Sequence, residues 1–104
     1  MIGVKDETIN LNSVCTPLLM SLTTFDAIVS EYGVDTIITS ANDGKHGYGS
    51  LHYIGHAVDL RIWGIQDKLN DIKAKFLACY PNKQFDFVIE SNHIHLEFQP
   101  KQIL

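Results

Sequence analysis

At 104 residues, with 45% hydrophobic and 19% charged side chains, the chain is sized for a single domain over 1–104 whose core needs no disulfide support. A net charge of −4, with eight scattered Lys and Arg, argues against a nucleic-acid partner, and no apolar run is long enough to cross a membrane. Without a basic segment followed by an apolar stretch at its start, a cytoplasmic, monomeric protein acting on a neutral or small-molecule substrate is expected.

Residues Met1 to Asn12 show no clear period, which predicts an irregular or short extended arm without chemistry of its own. From Thr16, Leu18, Leu19, Leu22, Phe25, Ile28 and Val29 recur at helical spacing. Thr16 is the expected N-cap, Pro17 the first helical residue and Gly33 the stop. The β-branched run Asp35 to Ser40 reads as a strand, and Ala41 to Gly49, rich in glycine, Asn and Asp, reads as a loop. Ala57 to Ile62 alternates as a strand that turns Val58, Leu60 and Ile62 to one side and Asp59 and Arg61 to the other. Ile65, Leu69, Ile72, Phe76 and Leu77 mark a second amphipathic helix that ends near Tyr80-Pro81-Asn82.

Phe85 to Ile89 and His93 to Phe98 read as a hairpin closed at Glu90 to Asn92. The predicted architecture is α+β, with two helices packed on one side of a mainly antiparallel sheet. Cys15 and Cys79 lack the spacing of a zinc or redox pair and read as buried free thiols, with a disulfide between them left open.

The chemistry concentrates in two stretches, Ser50 to Leu60 and Glu90 to His95. A period of two places His93, His95 and Glu97 on one strand face, opposite Ile94, Leu96 and Phe98. A histidine pair on a sheet face can be satisfied by water alone. Adding His52 and Asp59 favours a cation, because an aspartate on a strand beside the core is costly without a partner. Two histidines and a carboxylate, with a fourth position for water, match catalytic zinc rather than the closed, cysteine-rich structural sites.

Ser50-Leu51-His52-Tyr53-Ile54-Gly55-His56-Ala57-Val58-Asp59 resembles the SxHxxGxAxD signature of the zinc D-alanyl-D-alanine carboxypeptidases, the L-alanyl-D-glutamate endopeptidases of phage lysins and the D-Ala-D-Ala dipeptidases. The same pattern occurs in the hedgehog signalling domain. His93-Ile94-His95 resembles their HxH element, and the order of elements is similar from about Thr16 to Phe98.

The resemblance implies a hedgehog/DD-peptidase-like fold and a Zn2+ ion held by His52, Asp59 and His95, with Ser50 supporting the site. It places His93 beside the metal. His46, in an Asp43-Gly44-Lys45-His46 segment similar to the DGHH of the hedgehog domain, is expected as a further oxyanion or substrate contact. The peptidases commonly carry a carboxylate three residues before the ligand histidine. Asn92 holds that position here, and Glu90, five before His95, is the expected base.

A register with His93 as ligand also satisfies the ExxH spacing, with Glu90 three residues before it, and Glu97 is the remaining candidate base. Ser40-Ala41-Asn42 lacks the arginine with which these peptidases hold a substrate carboxylate, leaving Arg61, Lys45 and His46 as the available cations. Tyr48 and Tyr53 are candidate cleft residues. The implied activity is hydrolysis of a D-amino-acid-containing bond in a peptidoglycan stem peptide, by a phage-type enzyme that a holin could release. The alternative is a non-hydrolytic, hedgehog-like zinc-binding module.

Overall fold

The computed structural model describes residues 1–12, 14–41 and 56–99. In chain order these form strand β1 (Ile2–Val4), helix α1 (Thr16–Ser30), strands β2 (Thr36–Ser40) and β3 (Ala57–Arg61), helix α2 (Leu69–Ala78), and strands β4 (Phe85–Ile89) and β5 (His93–Phe98). The five strands make one sheet in the order β1-β2-β3-β5-β4.

Three of its pairings are antiparallel, but β1 lies parallel to β2, so the sheet is mixed and the expected N-terminal arm is an edge strand. The direction follows from the connection: the chain returns through α1, and a long crossover brings the second strand back in the same sense as the first. Hydrogen bonds from Thr36 N–H to the Met1 carbonyl (2.9 Å) and from Lys5 N–H to the Ile38 carbonyl (3.0 Å) extend the pairing at both ends.

Helix α1 begins one residue earlier than expected. Leu19 N–H donates to the Cys15 carbonyl (3.1 Å), which makes Cys15 the N-cap and leaves Thr16 inside the first turn. Its Leu18, Ser21, Leu22, Phe25, Ile28 and Val29 are buried, and Ser21 Oγ donates back to the Leu18 carbonyl. Helix α2 starts later than the periodicity suggests. Ile65 is buried from a preceding turn, in which Gly64 takes φ +84° and Lys68 N–H bonds the Ile65 carbonyl. Cys15 and Cys79 are free thiols; Cys15 is half-buried and Cys79 exposed.

Both helices share one core with the inward residues of the sheet, including Ile38, Val58, Leu60, Phe87, Ile94 and Leu96. Phe76 of α2 is its aromatic centre, with rings of Tyr80, Phe85 and Phe87 at 5.0, 5.6 and 5.5 Å. Alternation then turns Asp59, Arg61, His93, His95 and Glu97 to the opposite face of the sheet, where each is half-buried.

Candidate functional site

The sheet order creates the site, because β5 inserts beside β3 and sets residues 36 apart in sequence directly opposite each other. Asp59 pairs with His95, Arg61 with His93 and Ala57 with Glu97. Cross-strand neighbours on one face have close Cβ atoms, so the aspartate meets both histidines.

Asp59 Oδ1 lies 3.0 Å from His95 Nδ1 and 3.6 Å from His93 Nε2. The other nitrogen of His95, Nε2, donates to Glu97 Oε1 at 2.6 Å, and Gln99 donates to the second Glu97 oxygen at 2.7 Å. His93 Nδ1 donates to Asn92 Oδ1 at 2.6 Å.

His95 thus has a carboxylate at each ring nitrogen. A neutral imidazole has one N–H and can donate to only one of them. The second contact requires either another proton, on the ring or on the facing carboxyl, or a cation between nitrogen and oxygen. Two ligand atoms on a tetrahedral zinc, each about 2.0–2.1 Å from the metal, are separated by about 3.3 Å. The Asp59–His95 separation is close to that bite, and Glu97 stands where a metal-bound histidine usually gives its remaining N–H. On donor chemistry this pair fits zinc.

Among the described residues no set of three His, Cys, Asp or Glu side chains is arranged to hold a metal. The third expected ligand, His52, lies outside the described residues, as do Ser50, His46, Lys45, Tyr48 and Tyr53. Glu90 is exposed on the β4–β5 connection, where its backbone N–H donates to the His93 carbonyl (2.9 Å). It is not among the residues that line the neighbouring cleft.

That cleft, about 400 Å³, is lined by Asp59, Arg61 and His93 and also by Lys5, Thr39, Ser40, Trp63 and Asn92. Pairing between β2 and β3 shifts between Ile38 and Ser40, a bulge that sets Ser40 against Asp59 and brings Thr39 to the cleft. The Arg61 guanidinium stacks 3.7 Å above the Trp63 ring.

Lys5 and Trp63 are absent from the sequence-based site. Trp63 could have been found by extending the alternation two residues past Arg61. Lys5 could not, since its place depends on the pairing of a three-residue strand. Comparison with protein-family models, curated proteins and solved structures finds no match to this chain.

Proposed function

We propose that this chain is a zinc-dependent peptidase with a hedgehog/DD-peptidase-like fold, cleaving a D-amino-acid-containing bond of a peptidoglycan stem peptide. The observation that carries this reading is the Asp59–His95 pair, 3.0 Å apart on the outer face of the sheet with His95 anchored on Glu97. The motif around His52 supplies the third ligand in this reading.

When bound, zinc supplies a Lewis acid that acidifies water and polarises a peptide carbonyl. Glu97 holds the His95 ring in orientation, and Gln99 holds Glu97 in turn. His93 keeps Nδ1–H on Asn92, which leaves Nε2 directed toward Asp59; in its protonated form that nitrogen donates to a developing oxyanion. Glu90 serves as the base that accepts a proton from water and passes it to the leaving amine. His46 adds a second oxyanion donor.

One observation favours the non-hydrolytic alternative: Glu90 is exposed outside the cleft lining, and Asn92, which cannot act as a base, borders the cleft. Incubating zinc-loaded protein with peptidoglycan and synthetic stem peptides, followed by mass spectrometry, separates the two readings. The peptidase predicts new amine-terminated fragments that disappear in Glu90→Ala at unchanged metal content. No cleavage by the wild-type protein under any metal condition rejects it in favour of the binding module.

A further inference from the structure

We propose that Trp63 is the platform of a saccharide site in the cleft that Asp59 lines, and that it takes an uncharged N-acetylated sugar ring. It rests on the peptidase reading only for the source of that sugar, the glycan strand that carries stem peptides.

Trp63 is 66% exposed on a backbone that is firmly placed. The Ile65 N–H donates to the Ile62 carbonyl at 3.1 Å across a turn whose third residue, Gly64, takes φ +84°, the pattern of a type II turn with Trp63 at its second position. Gly64 N–H donates to Gln66 Oε1 at 3.0 Å, and Ile62 and Ile65 are buried on either side. Such a turn favours proline at its second position and makes no use of an indole. Single exposed apolar side chains are common on convex surfaces. Trp63 instead lines a cleft of about 400 Å³, a volume within the range of small-ligand sites.

The Arg61 guanidinium lies 3.7 Å over one face of the indole, so the exposed area belongs to the other face and the edge. Every other described residue of the lining is polar. Lys5 and Arg61 donate, Asp59 accepts, the Thr39 and Ser40 hydroxyls do both, and the Asn92 amide accepts from His93 Nδ1 while its NH2 is a separate donor. An aliphatic ligand leaves those groups unpaired. A nucleotide brings phosphate to a lining in which Asp59 already offsets one of two cations. A sugar ring answers both features, because its face of C–H bonds lies against an indole and its edge of hydroxyls donates and accepts. Donor-only groups outnumber acceptor-only ones, which favours an acetamido substituent with its accepting carbonyl over a plain hydroxyl. Asp59 and Trp63 are four residues apart, with backbones at most about 14 Å from each other, so a stem peptide attached to the bound sugar reaches the Asp59–His95 pair.

Trp63 is the single tryptophan of the sequence, so intrinsic fluorescence reports on this site alone. Zinc-free protein is titrated with the N-acetylglucosamine trimer, with maltotriose and with uridine monophosphate. The acetylated sugar should give a saturable change, and maltotriose should bind several-fold more weakly. By ligand-observed NMR, Trp63→Ala should weaken the acetylated sugar at least about tenfold, as for loss of an aromatic contact, and Trp63→Phe should restore most of the affinity.

No saturable change, unaltered binding by Trp63→Ala, equal binding of maltotriose, or tighter binding of uridine monophosphate overturns the assignment. In cleavage assays Trp63→Ala should raise the KM of a glycan-linked stem peptide at least about tenfold relative to that of the free peptide, again by loss of the aromatic contact. An unchanged ratio removes the platform and leaves the peptidase standing. Sugar binding that depends on Trp63, without any cleavage by the wild-type protein, upholds the platform and removes the peptidase.

Discussion

Replacing Glu97 tests whether His95 is built to hold a metal. The Glu97 side chain is 17% exposed, and its Oε1 accepts from His95 Nε2 at 2.6 Å. A hydrogen bond to a charged group of this kind contributes about 1.5–3 kcal/mol. Carboxylates behind metal-bound histidines typically change metal affinity by about 10–100-fold. Glu97→Gln keeps an acceptor oxygen and loses the charge, so zinc affinity should fall about tenfold. Glu97→Ala removes both and should approach the hundredfold limit. Competition with a chromophoric chelator gives the affinities, with circular dichroism and urea unfolding confirming that each variant is folded. Wild-type zinc affinity in both folded variants refutes the idea that Glu97 orients a metal ligand.

Three further outcomes follow from the fold. Phe76→Ala opens a cavity at a fully buried ring packed against Tyr80, Phe85 and Phe87, and should cost about 3–5 kcal/mol in urea unfolding; a loss under about 1 kcal/mol would mean the core is not centred there. Gly64→Ala places a Cβ at φ +84° and 3.0 Å from Val34 Cγ1, so it should lower stability by about 1–2 kcal/mol, whereas an unchanged melting temperature contradicts this turn geometry. Burial pushes the Asp26 carboxyl up, but hydrogen bonds from the Thr36 hydroxyl and the Met1 amino group outweigh it and hold it below the ordinary 3.8. Its stabilising contribution is therefore present above about pH 4 and is lost as pH falls through the lowered value. The melting temperature of Asp26→Asn should lie below wild type at neutral pH and converge with it in acid, and a gap that does not narrow contradicts the assignment.

Local periodicity carried much of this fold. The bounds of β4 and β5 follow from their alternation, and so do the faces of β3 and β5, which put Asp59, Arg61, His93, His95 and Glu97 away from the core. What escaped depends on pairing. Strand β1 has three residues, one of them glycine, and is a strand only because β2 receives it. The bulge at Thr39 is likewise set by its partner strand rather than by pattern, whereas the Cys15 cap differs from the expected one by a single residue, fixed by the local bond from Leu19 N–H to the Cys15 carbonyl.

The site divides along the same line. That Asp59 and His95 carry chemistry was legible from their types and spacing, whereas their direct opposition requires β5 to insert beside β3. Lys5 reaches the cleft by the same non-local route. Glu90 illustrates the limit from the other side: the pattern put it on the hairpin connection, where it stands, but could not say whether it borders the cleft, whose lining does not include it.

The most direct measurement is the zinc content and affinity of wild type beside Asp59→Ala, His95→Ala and His93→Ala. Asp59 Oδ1 is closer to His95 than to His93, 3.0 against 3.6 Å, so His95 is the assigned ligand. The account predicts about one tightly held zinc per wild-type chain, as for sites with three protein ligands. Zinc should be lost in Asp59→Ala and His95→Ala and kept in His93→Ala. A wild-type chain that binds no zinc, or folded Asp59→Ala and His95→Ala variants that bind it as wild type does, contradicts the account at its centre.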